Sequence, residues 1–71
     1  MHLYIIKNVL SDYTSGMAIV AAENITQCRE LFLKEVGTPY ADEFDKYAQF
    51  TILNDVGIDE AGVIEYVYGG G

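Results

Sequence analysis

The sequence offers little that could make or break a covalent bond. Its one histidine, His2, and its one cysteine, Cys28, would have to meet within hydrogen-bond reach to act as a nucleophile pair. Cys28 falls on the apolar stripe of a helical pattern, where a thiol is ordinarily a buried, inert packing group. His2, beside the chain start, reads as a partly exposed residue. A single cysteine closes no internal disulfide, and the CxxC or Cys/His clusters that hold zinc are absent. Two groups of acids, Asp42, Glu43 and Asp45, then Asp55, Asp59 and Glu60, carry the oxygen chemistry a hard cation wants. Their spacing is not that of a calcium loop, so they read as solvated charge. No GxGxxG, Walker or GxSxG pattern occurs, and paired carboxylates need a pocket that so small a domain rarely encloses. The expectation is a protein without enzymatic activity, metal or cofactor.

What remains is the chemistry of binding. Eleven Asp and Glu against four Lys and Arg give a net charge of −7, which repels nucleic-acid phosphates and anionic membranes. A protein partner is expected, with no direct nucleic-acid or membrane contact. Residues 1–39 hold four acids and three bases, whereas residues 40–71 hold seven acids and only Lys46. Asp42, Glu43, Asp45, Asp55, Asp59, Glu60 and Glu65 therefore make the C-terminal half an acidic pole, which would serve either a basic partner or plain solubility. Six tyrosines add the large, rigid, amphipathic surface that interfaces favour. Tyr13, in a turn, is expected to be exposed; Tyr66 and Tyr68, on one face of the last strand, fit interface and ordinary packing equally well.

At 71 residues there is room for one core and no second domain. Such a core leaves only about 3–5 kcal/mol of net stability, so oligomerisation or partner binding is a plausible support. The hydrophobic fraction of 51% and mean hydropathy of +0.13 fit a folded globular chain. No apolar run nears the roughly 18 residues of a membrane span, and the N-terminal stretch lacks a signal-peptide pattern. With its lone thiol, the chain reads as cytoplasmic.

These groups are held by elements that the pattern itself suggests. Leu3 to Leu10 reads as a central strand and Met17 to Ala22 as its hairpin partner across the turn-rich Ser11 to Gly16. Asn24 and Gln27 form a capping box for a helix over Ile25 to Val36, with Cys28, Leu31, Phe32 and Val36 on its apolar stripe and Gly37 as its stop. Tyr40 to Tyr47 reads as a polar connection with room for one helical turn, pinned by Phe44. Ala48 to Asn54 and Val63 to Tyr68 complete the strands. The expected fold is an α+β domain over residues 1–68. It has ββαββ order, a four-stranded, mainly antiparallel sheet and one helix on one face, and residues 69–71 form a flexible glycine tail. One helix leaves the other face open, and Tyr4, Ile6, Ile64, Tyr66 and Tyr68 on alternate positions predict a tyrosine-rich surface there.

Two resemblances bear on function. The segments Tyr4-Ile5-Ile6-Lys7, Ser11 to Gly16, Ala18 to Asn24 leading into Arg29-Glu30-Leu31-Phe32, and Tyr66 to Gly71 resemble small accessory proteins of bacteriophages and prophages. In size, acidity and lack of catalytic residues the chain is similar to anti-CRISPR inhibitors and other antagonists of host defence. That resemblance implies a partner such as a CRISPR effector nuclease, whose basic channels for nucleic acid would accept the acidic side chains, with tyrosines supplying contact area. A strand running into terminal glycines also resembles the small β-grasp sulfur carriers, which implies a role for the Gly71 carboxylate, although the proline such carriers place shortly upstream is missing. A third expectation, self-association into a homodimer through an open face or edge strand, needs only the apolar surface.

Overall fold

A computed structural model of the chain describes residues 1–12 and 14–70. Strands β1 (His2–Val9) and β2 (Gly16–Ala22) form the central hairpin. Helix α1 (Ile25–Val36), a 3-10 turn (Thr38–Tyr40) and helix α2 (Ala41–Tyr47) follow, and β3 (Gln49–Leu53) and β4 (Gly62–Val67) supply the two edges. The sheet order is β3-β1-β2-β4 with every neighbouring pair antiparallel. The α+β class and the four-stranded antiparallel sheet agree with the sequence. The single-helix ββαββ order does not, because the polar stretch before β3 closes into α2. Asp42 and Glu43 in its first turn and Lys46 in its last complement the helix dipole, and the turn buries the ring of Phe44.

Helix α1 begins and ends on local chemistry. The Asn24 side chain accepts from the Gln27 amide at 2.8 Å, and the Gln27 side chain accepts from the Glu23 amide at 2.6 Å. The first bond satisfies an amide that a helix start otherwise leaves orphaned, and the second ties the residue before the cap to the first turn. At the other end Gly37 takes φ of 103° and donates to the Leu33 carbonyl at 2.8 Å, a backbone position that a residue with a Cβ rarely adopts.

Both helices lie on one face of the sheet. Tyr4 and Ile6 of β1 and Ala18, Val20 and Ala22 of β2 meet Cys28, Phe32 and Phe44 in a single core. The Phe32 and Phe44 rings are 5.3 Å apart, and Phe44 reaches Phe50 of β3 at 5.4 Å. Strict alternation along β1 would next bury Asn8. A bulge between Lys7 and Val9 prevents this: Asn8 sits in the left-handed region at φ of 61°, which asparagine tolerates, and the phase shifts by one so that Val9 and Leu10 are buried. Asn8 then donates to the Tyr47 carbonyl at 3.0 Å and accepts from the Ser15 hydroxyl at 2.8 Å, joining the hairpin loop to the end of α2.

The chain's last described residues are packed against the hairpin, where the sequence suggested a flexible tail. Gly69 donates to the Leu10 carbonyl at 2.9 Å, the Thr14 hydroxyl donates to the Gly70 carbonyl at 2.8 Å, and the Gly70 amide donates back to Thr14 Oγ1 at 3.1 Å. A Cβ at Gly69 would overlap the Thr14 carbonyl, and one at Gly16 would overlap the Val67 carbonyl. Both obstacles are backbone and cannot rotate away. Gly69→Ala is therefore expected to cost about 1–3 kcal/mol, as overpacking does, seen as a lower urea midpoint at unchanged slope. An unchanged midpoint would mean that this segment contributes nothing to the fold.

Candidate protein-binding surface

The face of the sheet turned away from the helices is aliphatic. Across it, Ile5 lies beside Ile19 and Thr51, Leu3 beside Ala21 and Leu53, and Met17 between Lys7 and Val67. Lys7 and Glu65 are the charges of these rows; Leu3, Ile5, Met17 and Ile19 are partly exposed and Val67 is 54% exposed. A shallow depression of about 420 Å³ opens between Lys7, Asn8, Ser15, Gly16, Met17 and Val67, within the size range of small-ligand sites.

The tyrosine-rich outer face expected from alternation is therefore corrected. Tyr4 and Ile6 are buried beneath the helices, since β1 is central and its even positions face α1 and α2. In β4 a bulge separates the pair Ile19 with Glu65 from the pair Val20 with Val63. Ile64 becomes the extra residue, 54% exposed, and Val63 and Tyr66 pack on the helix-side core. Tyr66 lies 5.8 Å from Tyr68, which lies 5.9 Å from Tyr40 in the turn after α1. Glu35 of α1, through its charge, pushes the Tyr66 hydroxyl up from its ordinary range, with burial adding to the effect. Tyr68 remains 48% exposed at the rim of this cluster. Tyr13 lies outside the described residues.

The acids do not converge on one surface. Asp42, Glu43 and Asp45 sit on α2 near the hairpin end, where Glu43 accepts from the Ser11 amide at 3.1 Å. Asp55, Asp59 and Glu60 belong to the connection that runs from β3 to β4 past the opposite end, where Val56 donates to the Met1 carbonyl. Between those ends β1 extends about 23 Å at the usual strand rise. Glu65 stands on the outer face beside Ile19. The acidic pole of the sequence is thus split, because the antiparallel path carries the chain from one end of the sheet to the other.

Asp45 is also not free. Arg29 Nε and Nη2 donate to its two carboxylate oxygens at 2.9 and 3.0 Å, clamping α2 to α1. These hydrogen bonds from Arg29 hold the Asp45 carboxyl below its ordinary range, so the bidentate pair is made above that range and lost on acidification. Asp42, Asp55, Asp59, Glu60 and Glu65 are exposed and, among the described residues, enter no ion pair.

Among the described residues, the reactive groups are not gathered. Cys28 is fully buried, and burial pushes its thiol up to about 12, the opposite of an activated nucleophile. His2 is partly buried against Tyr4, with ring centroids 6.4 Å apart. Among the described residues no three His, Cys, Asp or Glu side chains are placed to hold a metal ion, and no helix is long and apolar enough to cross a membrane.

Strand β3 lies within the Ala48 to Asn54 run read as a strand from the sequence, but its exposed edge position was not foreseen. All five of its residues are exposed, including Phe50, Ile52 and Leu53 at 38–46%, and among the described residues its only strand neighbour is β1. An uncharged run such as Gln-Phe-Thr-Ile-Leu is a strong docking signal only once it is known to lie at an edge. Comparison with protein-family models, curated proteins and solved structures finds no match for this chain.

Proposed function

We propose that the protein acts without catalysis, by binding another protein through the outer face of its sheet. The observation that carries this reading is the aliphatic row Leu3, Ile5, Ile19, Met17 and Val67, on which neither helix packs. A water-facing sheet ordinarily alternates apolar residues inward with polar residues outward, whereas this one is apolar on both faces. A contiguous apolar patch rimmed by Lys7 and Glu65 is how a docking surface is built.

Within that class the reading favoured by charge and by the phage resemblance is an inhibitor of a nucleic-acid-binding defence protein. Asp42, Asp55, Asp59, Glu60 and Glu65 are exposed carboxylates that would speed encounter with a basic channel, while the apolar face would supply the lasting contact. The carrier reading draws no support from Gly69 and Gly70, which are tied to the hairpin; Gly71 lies outside the described residues.

The test is to mix the protein with a guide-loaded CRISPR effector nuclease and follow co-elution and target cleavage at low and high salt. Inhibition that slows as salt rises, and that Val67→Lys abolishes, is the expected result. Unchanged cleavage with no complex overturns the anti-CRISPR form. A complex indifferent to Val67→Lys removes the outer face as the contact.

A further inference from the structure

We propose that β3 pairs antiparallel with β3 of a second copy of this chain, about a two-fold axis through Thr51, joining two sheets into one of eight strands. The strand has one free edge, lies exposed on both faces, and carries no charge, proline or bulge to blunt it. The opposite edge, β4, is interrupted by the Ile64 bulge and bears Glu65, both devices that discourage edge pairing.

The strand is complementary to itself. With Thr51 facing Thr51, Phe50 meets the second copy's Ile52 and Gln49 meets its Leu53. Threonine pairs and aromatic–β-branched pairs are among the favourable cross-strand contacts. Phe50 and Ile52 lie on the helix-side face at the margin of the core, beside Phe44 and Tyr4, so pairing would extend each core over the junction.

Charge selects the antiparallel direction. Lys7 is opposite Gln49 and Lys46 closes α2 three residues earlier, so two lysines flank the Gln49 end of the strand, and Asp45 beside Lys46 is held by Arg29. Asp55 follows two residues after Leu53 at the other end. In this register the Leu53 end of one copy, with Asp55 beyond it, meets the Gln49 end of the other, on the side of Lys46 and Lys7, and the two-fold axis repeats the match. Parallel pairing would set lysine against lysine. Five residues and their flanking side chains bury on the order of 1,000 Å², the low end for a specific interface, which predicts a dissociation constant in about the micromolar range.

Sedimentation equilibrium of the full chain from about 1 to 200 μM is expected to show the mass rising from one to two copies of the 7.9 kDa chain. Thr51→Lys, which places two ammonium groups at the axis, is expected to raise the dissociation constant at least tenfold with the circular dichroism spectrum unchanged. Thr51→Cys provides a second reading that needs no destabilising charge: it should oxidise to a covalent dimer, while Gln49→Cys, whose counterpart is Leu53, should not. A monomer throughout, a dimer that withstands Thr51→Lys, or equal cross-linking at both positions overturns the proposal. The pairing joins the free β3 edges and leaves the row Leu3, Ile5, Ile19, Met17 and Val67 uncovered, so failure here leaves the partner-binding reading standing, and the reverse.

Discussion

Replacing Phe32 with alanine is expected to abolish the cooperative unfolding transition. Phe32 is fully buried on α1, and its ring lies 5.3 Å from that of Phe44 on α2, which in turn lies 5.4 Å from Phe50 of the edge strand. Removing it takes away the side chain that links both helices to the sheet. Truncating a buried phenylalanine costs about 3–5 kcal/mol, part transfer free energy and part cavity. The whole stability of so small a single core is about 3–5 kcal/mol, so the two quantities cancel. Phe32→Leu keeps most of the volume and should retain a transition at a lower midpoint. Urea titration followed by circular dichroism separates the cases; an alanine variant with a sharp transition would show that the core tolerates collapse around Phe44.

The Cys28 thiol of the folded protein is expected to react with an alkylating reagent about 10³-fold more slowly than the thiol of the unfolded chain. Burial raises the group from an ordinary value near 9 to about 12. At about pH 8 the thiolate, the reactive form, then falls from roughly one part in ten to one in 10⁴. Time-resolved labelling in buffer and in urea measures the ratio, and labelling at equal rates would mean that the helix side opens readily. The sign of the linked stability follows from the same shift. Folding favours the protonated thiol, so this contribution is fully present below about pH 9 and is lost as pH rises from there toward 12. Tyr4, raised by burial and by the neighbouring Cys28, acts in the same direction at higher pH. The comparison of wild type with Cys28→Ala therefore belongs between about pH 9 and 10, where the wild type alone should lose stability before Tyr4 contributes.

Local signals were legible in the sequence because their physics is local. The Asn24 cap, the Gly37 stop and the bounds of α1 depend on contacts within a few residues, and the structure has the helix over Ile25–Val36 as the spacing indicates. Burial of Cys28 and Phe32 follows from the same helical period. The hairpin is equally local: a turn-rich loop between two β-prone runs leaves little choice of pairing. Helix α2 lay at the limit of such reasoning, since seven residues carry a weak signal and the burial of Phe44 against Phe32 and Phe50 is what holds them.

The surfaces were a tertiary matter. Alternation assigns residues to two faces but cannot say which face the helices cover, nor where a bulge changes the phase. For that reason Tyr4 and Tyr66 lie on the helix side and Ile5, Ile19 and Val67 on the outer one. Net charge is a property of composition, but its distribution depends on where the chain turns. The clamp of Asp45 by Arg29, sixteen residues away, and the separation of the α2 acids from Asp55, Asp59 and Glu60 exist only once the sheet is assembled. Strand order decided the most: with β1 and β2 central, the uncharged β3 became an exposed edge. The strands, α1 with its core face and the acidic composition follow from the residues alone, because each rests on near neighbours or on sums. Which apolar residues face water was settled by long-range pairing, whose partners no local pattern specifies.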